Sequence, residues 1–241
     1  MSSGTIALVG SGEYLAPIQP VDKKLLAHVG GEPYVVVLPT ASAPDGEGVP
    51  ERWTRMGVAH FSQLGARVEP VMLLDREDAE NPAIVEAIAQ ANFVYFSGGK
   101  PRYLLETLQG TAAWRAILNI YNSGGVVAGC SAGAMVMGAA IVDFPKFWHT
   151  IPALNLAPGL MIIPHFDEIP PVMLASLKHT DRHTTTVGVD GSTALVGREG
   201  RWIVYGSGGV TVFEGKNRVR YTEGQTVRLP LPPLSTERSE R

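Results

Sequence analysis

The stretch Val126-Val127-Ala128-Gly129-Cys130-Ser131-Ala132-Gly133-Ala134-Met135 decides the fold of this chain. A run of β-branched and small apolar residues leads into Gly-x-Ser-x-Gly and then into small helix-forming residues, which predicts a strand, a sharp turn and a helix. Ser131 lies at the apex of that turn. A serine on such an elbow has its hydroxyl pushed out of the top of an α/β sheet, as a nucleophile requires. The same pattern also fits a turn that binds an anion at the helix N-terminus, or one that serves only packing.

The composition is that of an ordinary globular protein. The chain has 241 residues, of which 45% are hydrophobic and 18% charged, enough to bury a substantial core. Its formal net charge of −3 argues against a nucleic-acid partner, which favours a basic surface. No apolar run reaches membrane-spanning length and the N-terminus has no signal-peptide pattern, so we expect a cytoplasmic protein without a membrane partner. The sequence does not fix the oligomeric state, for which a homodimer is one option.

Strands and helices alternate over the first two-thirds of the chain. Strands are predicted at residues 5–9, 34–38, 67–73 and 93–96, and helices at 21–28, 51–64 and 82–90. Short, β-branched, non-alternating strands separated by helices are typical of a doubly wound, mostly parallel sheet with helices on both faces. The chain is therefore expected to have an α/β fold.

The last third of the chain consists of short strands with turn glycines between them. Strands are predicted at residues 186–189, 194–196, 202–205, 210–213, 218–221 and 226–229. This spacing indicates antiparallel hairpins that complete or flank the main sheet. We expect one α/β domain over residues 1–230 and a polar, flexible tail over residues 231–241.

Four loops follow predicted strands, where ligands of doubly wound sheets bind. They are Gly10-Ser11-Gly12-Glu13, Pro39-Thr40-Ala41-Ser42, Ser97-Gly98-Gly99-Lys100 and the elbow at Ser131. Gly98 and Gly99 expose backbone N–H groups, and we expect the Gly99 N–H to form an oxyanion hole with that of Ala132. Gly98 and Lys100 are candidate substrate-binding residues. The alternative is a simple turn at the start of a helix.

A nucleophilic serine needs a general base, because its hydroxyl is scarcely ionised at neutral pH. His165 ends a predicted apolar strand over residues 159–164 and is the candidate base. We expect the carboxyl end of that strand over the same sheet edge as Ser131. The other histidines lie in amphipathic helices or polar surroundings and are interpreted as surface or packing residues: His28, His60, His149, His179 and His183.

The single cysteine, Cys130, directly precedes Ser131. One cysteine excludes an internal disulfide and cannot form a cysteine-rich metal site. We interpret Cys130 as a small buried residue, with a redox or catalytic role as the less favoured alternative. The sequence has no His-Glu-x-x-His motif and no phosphate-binding Gly-x-x-x-x-Gly-Lys-Ser/Thr motif. No metal or organic cofactor is therefore expected.

Three motifs resemble those of peptidase family S51, the serine hydrolases that include peptidase E and cyanophycinase. They are Phe96-Ser97-Gly98-Gly99, residues 129–134 and Pro164-His165-Phe166. The resemblance runs from the first strand to the region of Val189-Asp190 and implies a fold like that of class I glutamine amidotransferases. It also implies that Ser131 is the nucleophile and His165 the base of a catalytic triad.

The resemblance places the acid of the triad on Asp143. The segment Asp143-Phe144-Pro145 looks like the Asp-x-Pro segment that supplies this acid in peptidase E. Two alternatives stay open. Asp167 would imitate the His-x-Glu of glutamine amidotransferases, and Asp190 lies near the site of a catalytic Glu in cyanophycinases, although this chain has Gly191 at the matching step.

Departures from the family concern the substrate. Cyanophycinases have Gln before His-Phe and an arginine-rich run after it, whereas this chain has Pro164 and the acidic, proline-containing segment 167–171. That difference argues against hydrolysis of an Asp-Arg polymer. The arginine with which peptidase E reads a substrate aspartate has no clear counterpart. The cations available for this role are Lys100, Arg102, Lys178 and Arg182.

We therefore expect a serine-type hydrolase, similar to peptidase E and with dipeptidase activity as one form, that cleaves a peptide or isopeptide bond in a small substrate. A rival hypothesis is a ligand-binding or regulatory module that keeps the scaffold without a complete triad. A third is an amidotransferase subunit, which is disfavoured because Ser131 stands where those enzymes use cysteine.

Overall fold

The computed structural model describes residues 4–143, 146–170, 184–215 and 217–229, with residues 146–148 described by their backbone. The strands are β1 (Thr5–Val9), β2 (Tyr34–Leu38), β3 (Arg67–Pro70), β4 (Phe93–Phe96), β5 (Val126–Cys130), β6 (Ala140–Asp143), β7 (Lys146–Pro152), β8 (Leu160–Ile163), β9 (Thr185–Val189), β10 (Thr193–Arg198), β11 (Arg201–Gly206), β12 (Gly209–Glu214), β13 (Asn217–Thr222) and β14 (Thr226–Val227). The α-helices are α1 (Gln19–Leu26), α2 (Val49–Gln63), α3 (Pro82–Ala89), α4 (Pro101–Leu108), α5 (Ala112–Asn122) and α6 (Ala132–Met137).

The described residues form an eight-stranded main sheet in the order β14-β11-β10-β1-β5-β4-β2-β3. Its strands β1, β5, β4, β2 and β3 are parallel, while β10, β11 and β14 join β1 as an antiparallel extension. The predicted α/β fold with a mostly parallel sheet and later antiparallel strands is confirmed. The parallel order places the loops after β1, β4 and β5 side by side at one edge of the sheet.

Both faces of the main sheet are buried. Alternate residues of β1 point to opposite faces, so Leu8 belongs to one apolar cluster and Val9 to another. The Leu8 cluster includes residues of α3, α4, α5 and α6, and the Val9 cluster includes residues of α1 and α2. Helices therefore cover the sheet on both sides, as the sequence predicts.

A smaller four-stranded sheet, in the order β13-β12-β9-β8, packs against the Leu8 side of the core. Val187 of β9 and Val212 of β12 are fully buried there. The strand that leads to His165 is β8, so it belongs to this second sheet and not to the main sheet. The expectation that β8 shares a sheet edge with Ser131 is therefore corrected, because β8 pairs with β9 instead.

Most element boundaries differ by one or two residues from those predicted. The strand predicted over 67–73 ends at Pro70, which has no N–H to continue a ladder and lies on the edge strand β3. The hairpin of β6 and β7 has no counterpart in the sequence-based prediction. The predicted tail over 231–241 lies outside the described residues. Among those that are described, no helix is both long and apolar enough to cross a membrane.

Candidate active site

Ser131 occupies a strained turn at the carboxyl end of β5. All five residues of β5 are buried, and the chain turns at Ser131 with φ 51° and ψ −110° before α6 begins. A non-glycine residue in such a region costs about 1–3 kcal/mol and must be held by its surroundings. The Ser131 N–H donates to the Val9 carbonyl of β1 at 3.0 Å, which anchors the turn. The strand, sharp turn and helix predicted from residues 126–135 are confirmed.

The two glycines of the elbow allow β4, β5 and α6 to pack closely. A Cβ atom built on Gly129 would lie 2.6 Å from the carbonyl carbon of Gly133. One built on Gly133 would lie 2.7 Å from Cβ of Phe96 in β4. Glycine is therefore required at both positions by the approach of backbone to backbone, and not only by access for a substrate.

His165 reaches Ser131 from the second sheet. It follows β8 and Pro164 and has a left-handed backbone conformation, with φ 51° and ψ 35°. Its Nε2 atom lies 3.1 Å from Ser131 Oγ, within hydrogen-bond distance. The structure thus brings together the two residues that the sequence assigns as nucleophile and base, although from different sheets.

The carboxylate beside the His165 ring is Glu168, which the sequence does not single out for this role. Glu168 Oε1 lies 3.3 Å from His165 Nδ1, and the side chains are 64% and 41% exposed, respectively. Both belong to a short 3-10 turn over Phe166–Glu168 and the residue before it. The i, i+3 spacing in such a turn is the sequence signal that could have identified this pair.

Asp143, the predicted acid of the triad, has other partners in the described structure. Its Oδ1 accepts a hydrogen bond from Arg102 Nη1 at 3.0 Å, and its Oδ2 lies 3.1 Å from His149 Nδ1. The pairing of β6 with β7 shifts register between Val142 and Asp143, and irregularities of this kind often re-aim a side chain in other proteins. Among the described contacts of His165, Glu168 stands where Asp143 was expected.

The two alternative acids, Asp167 and Asp190, also bind elsewhere. Asp167 Oδ1 accepts the Gly191 N–H at 2.8 Å, which ties the histidine turn to the loop after β9. Asp190 Oδ2 accepts the Gly209 N–H at 2.9 Å and pairs with Arg220. These carboxylates hold loops of the second sheet in place.

The predicted oxyanion loop follows β4. Gly99 has φ 143°, and a Cβ atom there would lie 2.2 Å from the Ala41 carbonyl oxygen, so only glycine fits. Within the described part of the chain, the N–H groups of Gly99 and Ala132 have no hydrogen-bond acceptor. The Gly98 N–H, by contrast, donates to Glu13 Oε1 at 2.9 Å and is not free for a substrate.

Cys130 is a protonated thiol and not a competing nucleophile. Burial raises its pKa well above the ordinary value, and the nearby Glu13 carboxylate raises it further. Its Sγ donates to Glu13 Oε2 at 3.0 Å. Since the thiolate is the reactive form, Cys130 is chemically quiet, in agreement with its interpretation as a small buried residue.

The two candidate cations that the structure describes are already paired. Lys100 Nζ lies 3.3 Å from Asp45 Oδ1, and Arg102 binds both Asp143 and Glu106. The other two candidate cations, Lys178 and Arg182, lie outside the described residues. The structure therefore gives Lys100 and Arg102 carboxylate partners within the chain itself.

The remaining described histidines have partners away from Ser131. His60 Nε2 lies 2.7 Å from Asp22 Oδ2 in a fully buried pair, and burial raises the Asp22 pKa while His60 opposes that shift. His28 contacts Thr5 and Tyr205. His179 and His183 fall outside the described ranges. In the ranges that are described, no three His, Cys, Asp or Glu side chains come together as ligands for a metal ion.

A mostly parallel sheet with a serine elbow and an adjacent histidine defines the scaffold of a serine-type hydrolase. The sequence model of peptidase family S51 matches residues 6–205, and the chain belongs to this family. The resemblance to peptidase E and cyanophycinase that the motifs indicate is thereby confirmed.

Curated relatives agree with this family. A cyanophycinase from Synechococcus elongatus is 25% identical over 244 aligned positions, which span 95% of this chain and 73% of that protein. An uncharacterized peptidase from Pasteurella multocida (strain Pm70) is 30% identical over 136 residues, or 53% of this chain. That match spans 63% of the length of the Pasteurella protein.

Solved structures support the fold over nearly the whole chain. A peptidase from an acI-B1 Actinobacterium is 33% identical, with a TM-score of 0.87, and the match covers 95% of this chain and 98% of that one. A candidate peptidase E protein from Listeria monocytogenes EGD-e has a TM-score of 0.63 and 21% identity over 85% of this chain and 99% of that one, which shows a shared fold. Together the family and its relatives support an enzyme of the peptidase E type.

Proposed function

We propose that this chain is a serine peptidase that hydrolyses a peptide or isopeptide bond in a small substrate, with Ser131 as nucleophile and His165 as general base. The observation that carries the proposal is the 3.1 Å approach of His165 Nε2 to Ser131 Oγ at a strained elbow. Nucleophile and base within hydrogen-bond distance are the minimum requirement for acyl transfer to a serine.

The reaction follows from these atoms. Ser131 Oγ attacks the carbonyl carbon of the scissile bond while His165 Nε2 takes the hydroxyl proton. The oxyanion that forms accepts hydrogen bonds from the Gly99 and Ala132 N–H groups. Nε2 then returns the proton to the leaving amine as the C–N bond breaks. In the second half of the reaction water attacks the acyl-enzyme while Nε2 takes its proton, and Nε2 gives that proton to Ser131 Oγ as the ester bond breaks.

We assign orientation of the imidazole to Glu168 in place of Asp143. Glu168 Oε1 lies beside Nδ1, and a carboxylate there favours the tautomer whose Nε2 is free to accept the serine proton. Because this carboxylate is 64% exposed, solvent screens it, and its contribution is smaller than that of a buried triad acid. Asp143 instead holds Arg102 and His149 at the edge of the site.

The substrate class rests on the family and not on a specificity pocket. Relatives carry the names cyanophycinase and peptidase E, and the proposed class of substrate follows from their family of peptidases. Since Lys100 and Arg102 are already paired with carboxylates, we assign neither of them to the recognition of an acidic side chain. A panel of dipeptides and isopeptides with Asp, Glu and neutral residues at the N-terminus would identify the preference.

A fluorophosphonate probe tests the assignment without a known substrate. We expect one covalent adduct per chain on Ser131, identified by mass spectrometry of the peptide that contains residue 131. Ser131→Ala should not be labelled, and its turnover on any substrate found should fall by roughly a millionfold, as in other serine triads. Cys130→Ser is the matched control next in sequence and should be labelled like the wild type.

Absence of labelling in the folded wild type would contradict the proposal and favour the ligand-binding module. Labelling of Ser131→Ala to the wild-type extent would place the nucleophile elsewhere. Circular dichroism of each variant should show the secondary structure of the wild type, so that a loss of labelling is due to the missing serine hydroxyl and not to unfolding.

A further inference from the structure

Glu13 is a buried carboxylate that joins the two loops of the candidate site. It ends the loop Gly10-Ser11-Gly12-Glu13 and is only 7% exposed. Its Oε1 accepts the Gly98 N–H at 2.9 Å, and its Oε2 accepts the Cys130 thiol at 3.0 Å. One side chain from the loop after β1 therefore links the loop after β4 to the end of β5.

The contact of Glu13 with Gly98 lies directly beside the nucleophile. A Cβ atom built on Gly98 would be 2.7 Å from Glu13 Oε1 and 3.3 Å from Ser131 Cβ. Gly98 is thus enclosed between the carboxylate and the serine, with no room for a side chain. A shift of Glu13 Oε1 should displace the Gly98 backbone, because close-packed protein interiors transmit such displacements.

The Gly98 hydrogen bond is one of the anchors of the oxyanion loop. Ser97 N–H donates to the Leu38 carbonyl at 3.1 Å, and Lys100 N–H donates to the Ala41 carbonyl at 2.7 Å. The Gly98 N–H has only the Glu13 side chain as its acceptor among the described residues. Gly99, whose N–H is proposed to donate to the oxyanion, lies between Gly98 and Lys100, and the backbone N–H groups of both neighbours are hydrogen-bonded.

Building on the proposed serine-peptidase function, we propose that Glu13 is a positioning residue that fixes the Gly98-Gly99 turn against the Ser131 elbow, so that the Gly99 N–H meets the developing oxyanion. In this role the Glu13 side chain is long enough to place its acceptor oxygen within hydrogen-bond distance of the Gly98 N–H. Donors that are fixed before the reaction stabilise the transition state without reorganisation, which is why such anchoring affects turnover.

Two near-isosteric variants separate the acceptor from the charge. Glu13→Gln keeps an acceptor oxygen at the same distance from the Gly98 N–H and removes the negative charge. Glu13→Asp keeps the charge and withdraws the acceptor by one methylene. A positioning role predicts that Gln preserves function and Asp does not, whereas an electrostatic effect of the charge on Ser131 or His165 predicts the reverse.

The measurement is the second-order rate of reaction with the fluorophosphonate probe, whose phosphoryl oxygen occupies the oxyanion position. We expect the rate for Glu13→Gln to stay within about threefold of the wild type and that for Glu13→Asp to fall roughly ten- to a hundredfold, below the full loss of one oxyanion donor. The final labelling should remain one adduct per chain, and the pH at the midpoint of the rate profile should not change.

Each contrary outcome overturns the inference. Wild-type rates in Glu13→Asp would remove the need for the acceptor. A loss in Glu13→Gln with retention in Glu13→Asp, or a shifted pH midpoint, would assign the effect to charge. A lowered final stoichiometry with an unchanged rate would also overturn it, because the variant would then be partly unfolded while its folded fraction reacts normally. Cys130→Ala removes the contact of Glu13 with the end of β5 and keeps the acceptor for the Gly98 N–H, so it should lower the rate less than Glu13→Asp does, and a larger loss there would place the role on the thiol contact.

Failure of the inference is distinct from failure of the proposed function. If the wild type is labelled at Ser131 and Ser131→Ala is not, the serine mechanism stands whatever the Glu13 variants do. If the wild type is not labelled, both the mechanism and the role of Glu13 are rejected.

Discussion

The nucleophile and the base of the candidate site come from regions of very different character. Ser131 follows a fully buried strand in the middle of the main sheet, with β1 and β4 on either side and α6 directly after it. His165 follows a strand of the second sheet, and both its side chain and that of Glu168 are substantially exposed. The site therefore combines a rigid nucleophile with a base whose support is more open.

This difference shows which parts of a catalytic site are encoded locally. The elbow is specified by consecutive residues, because close backbone packing requires Gly129 and Gly133 and the buried strand requires small apolar side chains. The setting of His165 depends on contacts between the two sheets and on a single turn. Substitution of a packing residue at the elbow should therefore lower the stability of the fold, whereas substitution of the carboxylate beside His165 should lower turnover and leave the stability nearly unchanged.

In the histidine region, the carboxylate partner of His165 is expected to affect turnover. We expect Glu168→Gln to lower turnover roughly tenfold, well short of the roughly ten-thousandfold loss caused by removal of a buried triad acid, because solvent screens this exposed pair. The isosteric control Asp143→Asn should stay within about twofold of the wild-type rate. The measurement is kcat on the best substrate of the peptide panel.

A larger loss of turnover in Asp143→Asn than in Glu168→Gln would contradict the assignment of an exposed carboxylate to His165. A collapse of turnover in Asp143→Asn with little change in Glu168→Gln would return the acid to Asp143, as the family motif implies. Asp167→Asn and Asp190→Asn complete the series. Since their carboxylates accept backbone N–H groups of Gly191 and Gly209, their effect should be on stability and not on the rate at saturating substrate.

The sequence was sufficient for the nucleophile region and insufficient for the acid. Strand patterns and the Gly-x-Ser-x-Gly motif predicted β1, β2, β4 and β5 and the turn at Ser131, because these features depend on neighbouring residues. The position of Asp143 depends on how the hairpin of β6 and β7 is placed after α6, which no local pattern specifies. The Asp143 side chain follows a register shift in this hairpin and contacts Arg102 and His149 instead.

Glu13 illustrates a second limit of sequence reasoning. The sequence predicts the loop after β1 at the same edge of the sheet as the loops after β4 and β5, and the strand order agrees. Nothing in its four residues indicates contacts with Gly98 and Cys130, which are 85 and 117 positions away. Such contacts follow from the order of strands β1, β5 and β4 in the sheet. The contacts of Glu13 can therefore be predicted only when the strand order is known.

The close packing of the elbow predicts a marked loss of stability on a minimal enlargement. Gly133→Ala should lower the free energy of unfolding by about 1–3 kcal/mol, because its Cβ atom would meet the backbone and Cβ of Phe96. This exceeds the gain of about 1 kcal/mol that alanine brings to a helix. Gly30→Ala is the matched control, since a Cβ atom there has open space, and it should change stability by less than about 0.5 kcal/mol.

Urea unfolding monitored by circular dichroism provides both values for the glycine pair. Equal stability of the two variants would mean that α6 can move away from β4 without cost. The description of the nucleophile region as rigid would then be incorrect, and the comparison with the histidine region would lose its basis.

The smallest expected effect concerns the antiparallel extension of the main sheet, where a histidine affects the fold and not the chemistry. His28 contacts Thr5 of β1 through Nδ1 and Tyr205 of β11 through Nε2. Burial lowers the His28 pKa from 6.5, and the nearby Arg198 lowers it further. His28 therefore binds a proton more readily in the unfolded chain than in the folded chain. The free energy of unfolding decreases as the pH falls from above 6.5 through the pKa of His28 in the folded protein.

In His28→Gln the decrease in the urea midpoint between about pH 7.5 and about pH 5.5 should be smaller than in the wild type, whatever the variant's stability at the higher pH. An equal or larger decrease would show that other groups, and not His28, account for the acid sensitivity of this extension.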